Sequence, residues 1–184
     1  MNRVLNIPNI LTLSRIALLP GFIGGFYMQS DAGLVLSLVI FVVCCITDYL
    51  DGRLARAYKQ TTEIGKWLDP LADKVLVLVA TLYMTGFDMI SRCTLIPVAI
   101  TVCREVVITS LRESTLTESG DFKTSLLAKC KTTVQMLALA VILVAFIVDF
   151  YPARCAGETL LWCSAILAVI SAIQYFKKFF VFNT

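Results

Sequence analysis

The chain has 184 residues, 58% of them hydrophobic, with a formal net charge of +3. A soluble globule is nearer 45–50% apolar, so the composition argues against a soluble enzyme or a nucleic-acid-binding module and predicts an all-α helical bundle in lipid. Histidine is absent, which removes the commonest general base and the commonest zinc ligand, so any acid–base or metal chemistry falls to carboxylates.

A membrane span needs about 20 mostly apolar residues. The opening "MNRVLNIPNILTLSR" is weakly amphipathic, with Pro8 near a helix start. It predicts a short interfacial helix leading into the first span, retained because no small-residue cleavage pattern follows. Six spans are then expected, at about Ile7–Met28, Leu34–Leu50, Trp67–Phe87, Cys93–Leu111, Leu126–Val148 and Thr159–Phe176. The second helix is expected to run on past its charges. "QSD", "DMISR" and "DFYPARCAGE" read as links at one end of the bundle. Longer polar links around Arg53–Lys66 and Glu113–Ser125 lie at the other.

Of the 16 Lys and Arg residues, all but Arg92 and Arg154 fall on the side that holds both termini. By the positive-inside rule that side is cytoplasmic, which predicts a multi-pass membrane protein with both termini and its working face toward the cytoplasm. The whole chain, 1–184, reads as one integral-membrane domain. The seven cysteines form no CxxC pair and sit mostly in apolar runs. They are expected to be small buried hydrophobes rather than a disulfide framework.

Four aspartates interrupt this pattern. Asp48 and Asp51 close the second span, and Asp69 and Asp73 open the third. Each pair lies about one helical turn apart on one face, so two antiparallel helices can present four carboxylates to a shared groove. Unpaired, they would cost on the order of 10 kcal/mol at full membrane depth. A divalent cation resolves that cost, and oxygen-only ligands suit Mg²⁺, Mn²⁺ or Ca²⁺. Gly52, Ala55 and Gly65 fall on the same groove and leave room for a flat ligand, although small residues also serve plain helix packing. The simpler alternative for the acids is a set of solvated helix ends paired with Arg53, Arg56, Lys66 and Lys74.

A second polar set follows. Arg104 lies inside the fourth span, and Arg112 lies two turns on, about 80° around the helix. Ser125, Lys129 and Thr132 share a face of the fifth helix, whereas Lys131 is expected to point elsewhere unless that helix starts late. Two arginines and a lysine near a metal site suggest an anionic, phosphorylated ligand. A set of snorkelling cations is the alternative, and Glu105 could pair with Arg112.

The stretch "DYLDGRLARAYKQTTEIGKWLDPLADK" resembles the signature of the CDP-alcohol phosphotransferases. Asp48, Asp51-Gly52, Ala55-Arg56, Gly65, Asp69 and Asp73 all stand where that signature requires them. The resemblance implies six helices and transfer of a phosphoryl-linked group from a CDP-linked donor to an alcohol, with release of CMP. It implies two Mg²⁺ or Mn²⁺ ions held by Asp48, Asp51, Asp69 and Asp73, with Asp73 also acting as the base for the acceptor hydroxyl. Gly52, Ala55 and Arg56 would contact the donor, as would Asn9 and Thr12 in "PNILT" and, by a looser loop match, Thr62. The blocks "NIPNILTLSR", "REVVITSLR" and "AKCKTTVQ" are similar to a branch that uses CDP-diacylglycerol as donor and sn-glycerol 3-phosphate as acceptor. Ala128 stands where that branch often has glycine. Arg104, Arg112, Lys129 and Lys131 would then hold the acceptor phosphate. Besides these substrates the expected partners are membrane lipid and a second copy of the chain as a homodimer, and not nucleic acid. Other branches, making cardiolipin or phosphatidylinositol phosphate, are the alternatives within the family. A cation or proton transporter is the alternative outside it.

Overall fold

The computed structural model describes residues 7–58, 63–115 and 126–182. Within these ranges it describes side chains except at 7–9, 49–58, 63–71, Asp73, 110–115, 126–129 and 178–182. Among the described residues it is all α: α1 (Ile7–Tyr27), α2 (Asp31–Tyr58), α3 (Glu63–Gly86), a 3₁₀ turn (Arg92–Thr94), α4 (Leu95–Thr115), α5 (Leu126–Ile147) and α6 (Tyr151–Phe182). Residues 7–15 of the expected interfacial helix form the first turns of α1, continuous with the span, and residues 1–6 lie outside the described residues.

Among the described residues, four stretches are long and apolar enough to cross a membrane: Ile10–Tyr27, Asp31–Asp48, Cys130–Ile147 and Tyr151–Lys177. The other two expected spans fall on α3 and α4. Among the described residues α3 has a shorter apolar stretch, Lys74–Gly86, and Glu63, Lys66, Asp69 and Asp73 lie in its opening turns. Arg104 and Glu105 interrupt α4 at its middle.

Two expectations are corrected. The last helix starts at Tyr151, not near Thr159, so most of "DFYPARCAGE" is helix. Pro152 sits in the first turn, where a missing N–H costs nothing, and Asp149, with φ 49°, makes the turn that precedes it. The cysteines are not uniformly buried. Cys44 is buried and Cys45 half-buried, but Cys93, Cys103, Cys130, Cys155 and Cys163 are exposed, and all seven are free thiols. The exposed five face away from the protein interior. Val35, Val39 and Ile46 of α2 and Ile166, Val169 and Ile173 of α6 are exposed as well, a pattern suited to a lipid solvent.

Among the described residues, α1 packs against both α2 and α3, α2 against α5, and α6 against α4 and α5. Phe22, Phe26, Phe41, Leu76, Met84, Leu139, Ile142 and Leu161 fill the core. Phe22 and Phe26 meet edge to face at 5.1 Å, the arrangement their quadrupoles prefer. At the end opposite the acids, Glu158 of α6 accepts bonds from the Ser91 backbone N–H (3.0 Å), the Ser91 hydroxyl (2.7 Å) and the Thr94 hydroxyl (2.8 Å). Arg154, one turn before Glu158, donates to the Asp88 carbonyl at 2.5 Å. The carboxylate thus satisfies a donor at the start of the 3₁₀ turn that leads into α4 and ties it to α6.

The α1–α2 crossing depends on glycine. A Cβ on Gly25 would lie 2.1 Å from the Ser37 hydroxyl oxygen and 2.4 Å from the Gly33 carbonyl oxygen, whereas one on Gly24 would meet nothing within 4 Å. Gly25→Val is therefore expected to lower the thermal midpoint in detergent by the equivalent of about 1–3 kcal/mol. Gly24→Ala should leave the midpoint unchanged or raise it slightly. Equal behaviour of the two variants would show that the helices do not cross this closely.

Candidate functional site

The four acids lie where α2 ends and α3 begins: Asp48 and Asp51 in the last three turns of α2, Asp69 and Asp73 in the first three of α3. Of their side chains, only that of Asp48 is described. Its Oδ1 accepts from Nη1 of Arg15 at 2.7 Å, with the arginine side chain 1% exposed and the aspartate 28%. Arg15 comes from α1, so a third helix reaches Asp48. α1 packs against α2 and α3 alike, and its guanidinium fixes the rotamer of the first acid. Thr12, one turn before Arg15 on α1, is fully buried.

The remaining expected donor contacts can be placed only by backbone. Asn9 lies in the first turn of α1, and Gly52, Ala55 and Arg56 lie in the last two turns of α2. The side-chain positions of Asn9, Asp51, Ala55, Arg56, Asp69 and Asp73, and any contact at Gly52, lie outside the described residues, as does Thr62 entirely.

A second polar centre joins four helices. Glu105 of α4 is its hub. Glu105 Oε1 accepts from Arg104 Nη1 at 2.9 Å and pairs closely with Lys131 Nζ of α5. Glu105 Oε2 lies 3.9 Å from Lys74 Nζ of α3. The cations have further anchors. Arg104 Nη2 donates to the Ser171 hydroxyl of α6 at 2.9 Å, and Lys74 donates to the Thr109 hydroxyl at 2.6 Å. Lys131 is buried, with 3% of its side chain exposed.

These contacts bear on three sequence expectations. Lys131 faces the bundle interior and not elsewhere, because α5 turns that side toward the carboxylate on α4. Glu105 pairs with Lys131, Arg104 and Lys74; the Arg112 side chain, like that of Lys129, lies outside the described residues. Lys74, weighed as a partner for the aspartates, reaches Thr109 and Glu105. Sequence reasoning counted Arg15 only toward membrane orientation and missed its place beside Asp48. The available signal was the rule already applied to Arg104: an ionisable residue inside an apolar span has a job and a partner.

Chemically the site combines oxygen-only ligands suited to a hard divalent cation with a nearby surplus of positive charge suited to a phosphate. The Arg15 contact on Asp48 fits a ligand carboxylate held in place by an outer donor.

The model of one family, CDP-alcohol phosphatidyltransferase, matches residues 5–170. The chain belongs to that family. Curated relatives span nearly its whole length. A Haemophilus influenzae protein named CDP-diacylglycerol–glycerol-3-phosphate 3-phosphatidyltransferase is 40% identical over 94% of this chain and 92% of its own. Proteins of the same name from Rickettsia bellii, 36% identical over 94% of each chain, and Pectobacterium atrosepticum, 39% identical over 92% of each, are similar to it as well. The family is generally dependent on a divalent metal.

The Arg15–Asp48 pair generates a stability prediction. Arg15→Met leaves a part-buried carboxylate without its donor and should lower stability by about 1–3 kcal/mol. Asp48→Asn keeps an acceptor oxygen for Arg15 but removes the opposite charge, and should likewise cost about 1–3 kcal/mol. Thermal melts in detergent read both, and wild-type midpoints in both variants would show that the pair does not form.

Proposed function

We propose that this protein transfers the phosphatidyl group of CDP-diacylglycerol to sn-glycerol 3-phosphate, releasing CMP and forming phosphatidylglycerol phosphate. The observation that carries the reading is the linkage of the two polar centres through α3. Lys74, directly after Asp73 in sequence, joins the cluster that contains Arg104, Glu105 and Lys131. An acceptor whose phosphate lies at that cluster has its hydroxyl within reach of the acidic turn. The names of the relatives support the same substrates.

In this reading Asp48, Asp51, Asp69 and Asp73 hold two Mg²⁺ or Mn²⁺ ions. When bound, the ions neutralise the pyrophosphate and stabilise the CMP leaving group. Asn9, Thr12, Gly52, Ala55, Arg56 and Thr62 seat the donor head, whose acyl chains stay in the leaflet. Arg104 and Lys131, with Arg112 and Lys129, hold the acceptor phosphate. The acceptor hydroxyl oxygen attacks the phosphorus that carries diacylglycerol, the bond from that phosphorus to CMP breaks, and Asp73 takes the hydroxyl proton. Positioning and charge carry the reaction, as in other phosphoryl transfers. The reading includes six spans within one domain, 1–184, with both termini and the site on the cytoplasmic face of a bacterial inner membrane.

The purified protein given both substrates should release CMP only in the presence of Mg²⁺ or Mn²⁺, and chelation should abolish turnover. Full activity after thorough chelation would remove the metal from the proposal. CMP release with other alcohols but none with glycerol 3-phosphate would move the chain to another branch of its family.

Asp73→Asn keeps shape but cannot accept a proton, and should lower kcat about 10²–10⁴-fold while donor binding persists. A near-normal kcat would assign the base elsewhere.

A further inference from the structure

We propose that Glu105 is a specificity-determining residue, whose carboxylate occupies the donors of Lys131 and Arg104 until the phosphate of an acceptor displaces it. The inference rests on the reading of that cluster as the acceptor site.

Three features of the cluster carry it. First, one carboxylate oxygen takes donors from both Lys131 and Arg104, which is how a phosphate oxygen binds such a pair. The carboxylate is also the most open of the three groups. Its side chain is 26% exposed, against 11% for Arg104 and 3% for Lys131. Glu105 therefore lies outside Lys131 and Arg104, whereas Lys74, 33% exposed, is open beside it.

Second, two of the cations keep their places without Glu105. Arg104 is anchored through Nη2 to Ser171, whose hydroxyl in turn donates to the Ala168 carbonyl at 2.9 Å. Lys74 is anchored to Thr109. Arg104 Nε is buried with no hydrogen-bond partner among the described residues, so the guanidinium retains a donor beyond those that Glu105 and Ser171 use. The cluster can exchange one anion for another without being rebuilt.

Third, the described cluster has a cationic surplus. Lys74, Arg104 and Lys131 outnumber the one carboxylate of Glu105 among the described residues, and a phosphate monoester carries about −1.5 to −2 near neutral pH. An uncharged alcohol offers the cations nothing comparable to the carboxylate it would have to displace. Glu105 thereby excludes acceptors that lack phosphate, a selection made by competition and not by shape.

Calorimetric binding of glycerol 3-phosphate to the detergent-purified protein tests this. Glu105→Gln should tighten binding by about tenfold, the scale of one charge-assisted hydrogen bond no longer competed for. Glu105→Asp keeps the charge but withdraws the carboxylate by one methylene, and should also tighten binding, by a smaller factor. Tightening in the aspartate variant identifies freed donors as the cause, since the overall field is unchanged, and it decides the matter even if the glutamine variant does not fold. Unchanged or weaker binding in Glu105→Asp overturns the inference, because Glu105 then organises the cations and does not stand in for the ligand. Lys131→Met tests the underlying site separately and should weaken binding about tenfold or more. Wild-type affinity in Lys131→Met would remove the acceptor site itself, whatever the Glu105 variants do.

Discussion

No charge inside this bundle can be left alone. The apolar composition that makes the helices stable in lipid also makes an isolated ionic group there expensive. The described ion pairs answer that constraint with cross-helix partners: Arg15 of α1 with Asp48 of α2, and Glu105 of α4 with cations from α3, α4 and α5. Because Arg15–Asp48, Lys131–Glu105 and Lys74–Glu105 join different helices, these pairs also fix how those helices are rotated about their axes. The polar chemistry and the register of the bundle are one problem with one solution. Replacing such pairs with apolar residues often stabilises a protein, so their presence in a 184-residue chain is best explained by what the site does.

In the proposed reaction the two centres divide the work of a group transfer. The acidic turn would take the cations and the Glu105 cluster the anion, and Lys74 follows Asp73 so that α3 serves both. A shared helix sets the distance between the two ligands more firmly than two loops would. The far end has the opposite character. There Glu158 binds the 3₁₀ turn before α4 to α6 through short, direct hydrogen bonds, and the connections are turns of a few residues. That end holds the bundle together and leaves the other end to the substrates.

The sequence revealed most of the helices because hydropathy and charge are local properties. It failed where a local signal has a second meaning. "DFYPARCAGE" reads as a polar link, yet Pro152 suits a first helical turn, and Arg154 and Glu158 lie one turn apart on a helix. The cysteines suit a core, but their positions on the helix circumference put five of them outside it. The acidic motif was legible because its spacing is set by single helices. The partners of Asp48, Glu105 and Lys131 were not, because each depends on how one helix is rotated against another, and no window of sequence contains that angle.

α2 also acts as a depth gauge. At about 1.5 Å per residue, its 28 residues extend roughly 42 Å, whereas the hydrocarbon layer is about 30 Å thick. Counted from Asp31, about 20 residues use up that thickness, and the helix reaches the headgroups close to Asp48 and Asp51. In the proposed reading the excess length would carry Gly52, Ala55 and Arg56 to the level of the leaflet's phosphates. A donor lipid would then not have to be lifted out of the bilayer to meet these residues.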